Sequence, residues 1–508
     1  MKDPELKDYY LKKILNARVY DVAVQSALLR APRLSKRLGN HIWLKREDQQ
    51  QTFCYKLRGA FNKMSKLSQA ELDKGVVAAS AGNHAQGVAL AAQKLGCKAT
   101  IFMPTTTPEL KQDSVDALGG IVKLEGDSYS DAGLAAAEYC KTHDVTYIPP
   151  FDDEDVIAGA GTVAAEILRQ MESPLEAVFI PIGGGGLISG MACYIKAVNP
   201  TIKVIGVEPN DSAAMLDSIQ DDERVSLPTV GIFADGVAVK KVGEKTFAIC
   251  QQYVDEIITI STDEMCAAIK DIYEDTRSVM EPAGALGLAG IKKWLQLNPS
   301  KDKHFATVLS GANMNFDRLR HVSERAEIGE GRETVLAVQI PEKPGSFQRL
   351  FNFIGDLTVT EFNYRYSGAD KEASIFIGIQ KTDPELIAER IQTLADESYK
   401  PVDLSGNELA KVHGRHLVGG RAHNLQDERL YTFEFPERPM ALKEFLEQIS
   451  GRWNISLFHY RNHGSDFGRV LCGLQVPENT QAEFEIFLAE LGYGYTFEDK
   501  NPFTELFL

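Results

Sequence analysis

AVFIPIGGGGLISG, residues 177–190, is the stretch on which the fold turns. An apolar run, Ala177 to Ile182, ends in Gly183, Gly184, Gly185 and Gly186 and passes through Leu187 into the helix-patterned Ile188 to Ala197. A strand, a tight turn and a helix in that order form the repeating unit of a parallel α/β fold. Four glycines let successive backbone N–H groups approach a phosphate, and the helix N-terminus adds a favourable dipole. The competing reading is a surface turn with no task. A strand on one side and a helix on the other argue against it.

The alternation extends outward, from about Val76 to Ser310. Short β-branched runs at Val76 to Ala79, Ala99 to Met103, Lys203 to Val207 and Phe305 to Leu309 are separated by Ala-rich helical stretches. Several end in polar or glycine-rich loops, among them Ser80-Ala-Gly-Asn-His84 and Ser310-Gly-Ala-Asn313. Loops at the carboxyl ends of parallel strands are where such sheets bind ligands. At the first of these loops Ser80 or Asn83 can cap the helix that follows. Its N–H groups can equally hold a substrate carboxylate, with the Asn83 amide donating to an oxyanion.

Upstream, Lys45-Arg-Glu-Asp48 precedes Cys54-Tyr-Lys-Leu-Arg-Gly59. Most of the 55 basic residues are solvated surface, but Lys56 lies between Tyr55 and Leu57. A lysine desolvated by such neighbours favours the neutral amine that attacks an aldehyde cofactor.

Composition sets the bounds. The 508 residues suffice for about three domains, and 44% hydrophobic with 25% charged residues matches ordinary soluble chains. No apolar window reaches a membrane span. The first residues, MKDPELKDYYLKKIL, lack a secretory apolar core and carry acids that transit peptides avoid, so a cytoplasmic protein is expected. Seven cysteines without Cys-x-x-Cys spacing fit reduced thiols rather than disulfides or a zinc site. A net charge of −16 disfavours nucleic acid as a partner.

Beyond the charged segment His321 to Glu333 the pattern changes, and the remainder repeats. Ile340-Pro-Glu-Lys-Pro-Gly-Ser-Phe347 matches Phe435-Pro-Glu-Arg-Pro-Met-Ala-Leu442, Phe362-Asn-Tyr-Arg365 matches Phe458-His-Tyr-Arg461, and Phe376 to Gln380 matches Leu471 to Gln475. A near-constant offset marks a duplicated fold. Phe347, Leu350, Phe351 and Ile354 in one copy, and Leu442, Phe445, Leu446 and Ile449 in the other, follow i, i+3, i+4, i+7 and predict one apolar helix face each. Each copy therefore reads as a small α+β unit, one sheet with helices on one face.

Together these segments resemble the fold-type-II pyridoxal-phosphate enzymes, and their order and the duplicated tail resemble the biosynthetic threonine ammonia-lyases. Ile157-Ala-Gly-Ala-Gly-Thr162, Ala234-Asp-Gly-Val237, Glu281-Pro-Ala-Gly-Ala285 and Leu309-Ser-Gly-Ala-Asn-Met-Asn-Phe316 add to the likeness, which covers essentially the whole chain. The resemblance implies a two-lobed α/β catalytic domain with parallel sheets over 1–325. It also implies tandem ACT-like regulatory domains over 334–406 and 429–501.

By the same resemblance Lys56 holds the cofactor's aldehyde, Asn83 contacts its ring hydroxyl, Gly183 through Leu187 cradle its phosphate, and Ser310 bonds the pyridine nitrogen. Ser80, Ala81, Gly82, Asn83 and His84 bind the substrate, L-threonine, which leaves as 2-oxobutanoate and ammonia. Isoleucine is implied as feedback inhibitor, valine as its antagonist, and a homotetramer as the assembly. A serine hydroxyl cannot readily protonate the pyridine, so Ser310 leaves a weaker electron sink, better suited to β-elimination than to transamination.

Departures from the family pattern matter too. Cys54 replaces the usual Ser, weakening a hydrogen bond beside the lysine, because thiols are poor donors. Ala160 replaces a frequent Gln and is expected to change polar contacts near the substrate. Ala81 stands where serine racemases carry a second acid/base serine, so elimination without racemisation is implied. Glu208 matches a metal ligand of those relatives, but Ala214 replaces the carboxylate expected with it, and no required metal is expected. A serine dehydratase, a β-replacing synthase and a non-enzymatic amino-acid sensor are the alternatives. In the tail, Lys343-Pro-Gly-Ser346 offers a carboxylate-binding turn at a helix start, whereas the second copy has Pro439-Met440. If that position needs positive φ, methionine is costly there and the two copies bind ligand unequally.

Overall fold

The computed structural model describes the chain apart from residues 1–3, 106, 108, 127–128, 232, 317, 344, 356, 366–371, 381–383, 397–398, 408–424, 437–440, 450–451, 462–466, 492–493 and 499–508. It divides into two compact units, Met1–Gly329 and Glu330–Leu508.

Among the described residues the first unit holds ten strands: β1 Leu28–Arg30, β2 His41–Lys45, β3 Val76–Ala79, β4 Ala99–Met103, β5 Ile121–Leu124, β6 Thr146–Tyr147, β7 Ala177–Pro181, β8 Lys203–Pro209, β9 Glu256–Ile260 and β10 His304–Val308. They form two sheets, of order β1-β2-β10-β7-β8-β9 and β5-β4-β3-β6. Every pairing is parallel except β1 with β2. β3, β4 and β7 are buried at every residue, as strands covered by helices on both faces must be. That burial explains why their sequences are continuous apolar runs rather than alternating ones.

The charged segment after Ser310 is largely a helix, Arg318–Gly329, not a linker. Its Val322 and Ala326 enter the core beneath the six-stranded sheet, and Arg325 is buried beside them in an ion pair with Asp263.

The second unit departs from two separate sheets. β11 Glu333–Pro341, β12 Val359–Arg365, β13 Glu372–Gln380, β14 Lys400–Asp403, β15 Glu428–Pro436, β16 Asn454–Arg461, β17 Phe467–Gln475 and β18 Gly494–Phe497 form one eight-stranded sheet of order β14-β11-β13-β12-β16-β17-β15-β18. The copies join edge to edge through β12 and β16, with Phe362 opposite Tyr460, Asn363 opposite His459 and Tyr364 opposite Phe458. Each copy alone would leave a strand edge of unpaired backbone groups, and pairing removes both edges. The predicted helix faces are buried at Leu350, Phe351 and Ile354 on Ser346–Ile354, with Phe347 half-buried, and at Leu442, Phe445, Leu446 and Ile449 on Ala441–Ile449. Both sets belong to one core.

Candidate active site

Lys56 is the first residue of the helix Lys56–Met64, whose N-terminus is tied to the far side of the site by backbone bonds. Tyr55 N–H donates to the Ser310 carbonyl at 3.2 Å, and Cys54 pairs with Gly311 as an isolated antiparallel bridge. Lys56 Nζ donates to the Pro150 carbonyl at 2.9 Å. Burial pushes the amine down to about 8, since a cation surrounded by protein loses its hydration.

Two residues further on, Arg58 anchors this helix. Its guanidinium donates to Glu47 at 2.7 and 2.8 Å and to Glu166 at 2.6 and 3.1 Å, and Lys45 pairs with Glu166 at 2.6 Å. All four side chains are fully buried. Two cations and two carboxylates cancel, the condition under which charge survives out of water. Lys45 and Glu47, which sequence groups with the reactive lysine, thus buttress the helix that carries it.

The junction after β3 is open. The helix Asn83–Leu95 starts after Gly82 with no side-chain cap, so neither Ser80 nor Asn83 serves that role. Ser80 Oγ accepts from Gly82 N–H at 3.3 Å, and Ser80 to Asn83 all remain partly exposed. A Cβ on Gly82 would meet nothing within 4 Å. His84 differs from these neighbours: it is buried, and its Nε2 bonds the Ile148 carbonyl at 2.8 Å. Burial, then the charge of Lys56, push its pKa down to about 3, so the ring is neutral.

The junction after β7 is crowded. The helix Gly186–Val198 follows Gly185, which is left-handed at φ +93°. A Cβ on Gly184 would lie 2.2 Å from the Phe151 ring, and one on Gly183 2.9 Å from Val237 Cα. Thr246 Oγ1 donates to the Gly184 carbonyl at 2.6 Å and fixes the turn. The Leu187 side chain points into the core, so only its backbone can serve the loop's ligand.

Ser310 is buried, with its hydroxyl 3.2 Å from the Ala283 carbonyl. Asn83 reaches across from the four-stranded side: its Nδ2 donates to Glu281 Oε1 at 2.6 Å, and its Oδ1 accepts from Asn313 Nδ2 at 2.7 Å. Lys56, the two helix starts, Ser310 and Asn83 are therefore gathered at the carboxyl ends of two parallel sheets. Glu281 and Asn313 enter the sequence reading only within quoted segments, with no role of their own. An acid immediately before Pro282 at a helix start was the available signal.

Residues 20–311 match the family model described as pyridoxal-phosphate dependent enzyme. Residues 324–413 and 419–508 each match the C-terminal regulatory domain of threonine dehydratase. The biosynthetic L-threonine dehydratase of Burkholderia multivorans is 53% identical over 98% of this chain and 99% of its own. That of Escherichia coli is 49% identical over 98% and 97%.

The chain belongs to the biosynthetic threonine dehydratases.

Among solved structures of this family, the processed threonine deaminase isoform 2 of Solanum lycopersicum superposes with a TM-score of 0.63 at 49% identity, over 64% of this chain and 90% of that one. Threonine dehydratases are pyridoxal-phosphate dependent lyases, and the residues present fit that cofactor. An amine of lowered pKa meets the need of an aldehyde. The crowded glycine turn is a cradle that any Cβ would fill, at a helix N-terminus suited to phosphate.

The departures from the threonine dehydratase pattern find places as well. Cys54 is buried, its thiol 3.8 Å from the Asn83 carbonyl and 3.6 Å from Thr52 Oγ1, and burial pushes it up to about 12. It stays a neutral thiol and a weak donor. Ala160 sits in the apolar core with Ile157 and Val163, so its effect is on packing rather than on polar contacts with substrate. Glu208 accepts the backbone N–H groups of Met215 and Leu216, both at 2.9 Å, at the start of Ala214–Gln220. Among the described residues no group of three ligand side chains is placed to hold a metal.

Proposed function

We propose that this chain deaminates L-threonine to 2-oxobutanoate and ammonia, opening isoleucine synthesis, with Lys56 as the catalytic residue. The observation that carries the reading is the Lys56 amine, depressed to about 8 and set between a phosphate-type cradle and an open helix start. Pyridoxal phosphate supplies an aldehyde for amines and a ring that withdraws electrons from the adjacent carbon. Gly183 to Leu187 would hold its phosphate through backbone N–H groups, Ser310 would take its ring nitrogen, and Asn83 its ring oxygen. The open junction from Ser80 to His84, at a helix N-terminus, receives the threonine carboxylate. Lys56, freed by the substrate amine, takes the Cα proton as general base, the β-hydroxyl takes up a proton and departs as water, and a water hydrolyses the released enamine to 2-oxobutanoate and ammonia. Ala81 offers no proton to the opposite face, which keeps the outcome elimination.

In the tail, isoleucine is the proposed inhibitor and valine its antagonist. A cavity lies between the two copies, lined by Lys343, Gly345 and Ser346 of the first and Leu446, Ile449 and Trp453 of the second. Gly345 is left-handed at φ +87°, and the Ser346 hydroxyl is buried with no partner among the described residues, a polar end beside an apolar wall. That composition suits an amino acid with a branched side chain. The matching turn at Pro439-Met440 lies outside the described residues. The proposed domains are 1–325, 334–406 and 429–501, in a cytoplasmic homotetramer. No described helix is long and apolar enough to cross a membrane.

Incubation with L-threonine should yield 2-oxobutanoate, and Lys56→Ala should lose both that product and the visible absorbance of the bound cofactor. Undiminished turnover in the variant overturns the assignment. Comparing kcat/KM for threonine and serine separates this activity from a serine dehydratase.

A further inference from the structure

Glu281 precedes the helix Pro282–Leu297 and is buried, yet its side chain does not cap that helix. Its carboxylate instead accepts the Asn83 amide at 2.6 Å and the Asn313 backbone N–H. The Asn313 side-chain amide donates to Asn83 Oδ1 at 2.7 Å and to the Thr52 carbonyl at 2.8 Å. Both ends of the Asn83 amide are thereby specified. Reversing it would set oxygen against a carboxylate and nitrogen against nitrogen, two repulsive contacts in a partly buried place. In the observed orientation the nitrogen retains a second hydrogen. The backbone closes around the pair, since a Cβ on Gly311 would lie 2.3 Å from Glu281 Oε1.

We propose that Glu281 is a positioning residue of the deamination site, holding the Asn83 amide so that one N–H stays available to the cofactor's ring oxygen, and that it does so as a carboxylate. The inference rests on the role given above to Asn83.

Several groups act on this carboxyl. Burial and then the charge of Asp235 raise it, while Asn83, Lys111 and the Asn313 backbone lower it, and the balance is about 7. Glu281 in turn raises Lys56 and Cys54. Above pH 7 the group is an acceptor only and holds Asn83 nitrogen-first. Below it, the carboxyl O–H competes with Asn313 for Asn83 Oδ1, and the orientation is no longer unique. The site therefore gains order as pH rises through about 7.

The test uses the holoenzyme. Glu281→Gln keeps the shape but cannot ionise. A change in visible absorbance centred near pH 7, present in the wild type without substrate, should vanish in the variant. In cofactor-free protein carrying Glu208→Gln, made because burial lifts that second carboxyl to about 8, the infrared carboxyl band lost near pH 7 should vanish when Glu281→Gln is added. Glu281→Leu should lower kcat roughly ten-fold with little change in KM, and add no further loss to Asn83→Ala. An unchanged absorbance titration in Glu281→Gln, or additive losses in the double variant, overturns the proposal. A wild type inactive on threonine overturns the functional reading instead, and the absorbance and infrared results still decide for or against Glu281.

Discussion

The two strand-to-helix junctions of the catalytic unit share one plan and differ in crowding. Both follow a fully buried parallel strand and open an uncapped helix. After β7, added Cβ atoms would strike Phe151 and Val237, whereas after β3 a Cβ on Gly82 would enter open space. Crowding of this kind pre-organises a site for a group that stays, and openness serves one that must enter and leave on every turnover. The Gly345 junction of the tail resembles the second: a Cβ there would also meet nothing within 4 Å. An exchangeable effector fits it for the same reason.

The sharpest way to break this comparison is Gly184→Ala. Its Cβ would sit 2.2 Å from the Phe151 ring, and overpacking of that kind costs about 1–3 kcal/mol. Cofactor affinity, read by absorbance titration, should fall on the order of 100-fold. Phe151→Ala in the same chain should restore part of it. Wild-type affinity in Gly184→Ala would show that the loop yields freely and that crowding has no role.

Next is the pH dependence of cofactor uptake. The Lys56 amine is depressed to about 8, so its neutral, reactive fraction grows as pH rises and saturates above that value. Capture of pyridoxal phosphate by cofactor-free protein should speed up about ten-fold per pH unit below 8 and level off above it. A rise that continues toward pH 10 would mean that the lysine is not desolvated.

Gly82→Ala should do less. Cofactor absorbance should be retained, while KM for threonine rises about two- to five-fold as the methyl narrows the open junction. Loss of cofactor on the scale of Gly184→Ala would erase the distinction between the two sites. The smallest expected effect is Ser346→Ala, which should weaken inhibition by isoleucine about three- to ten-fold in a turnover assay. Unaltered sensitivity would move the effector away from this junction.

What sequence reveals of this molecule follows the range of the interactions. The buried strands and the tail's helix faces are periodic within a few residues, so Ala177 to Pro181 and Leu350, Phe351 and Ile354 can be located by pattern alone. The glycine turn is equally local. Residue type does not reveal burial, however: Lys45 and Glu47 look like site residues and instead form a sealed charge cluster with Arg58 and Glu166. The Asn83 and Glu281 pair spans 198 positions, and no local rule joins them. The join of β12 to β16 depends on register between distant strands, which explains why two sheets were expected and one is found.

That join has a consequence for ancestry. In the backbone register Phe362 pairs with Tyr460 and Tyr364 with Phe458, and position 361 pairs with 461 while 365 pairs with 457. By the repeat, Phe362 corresponds to Phe458 and Tyr364 to Tyr460, so every contact recurs with the copies exchanged about an axis through Asn363 and His459. This is the reciprocity of an isologous interface. A single copy would carry an edge complementary to its own twin. The tail is thus built as a homodimer whose partners have become one polypeptide. Fusion left each half free to change its turn without changing the other's, which symmetry between separate subunits forbids.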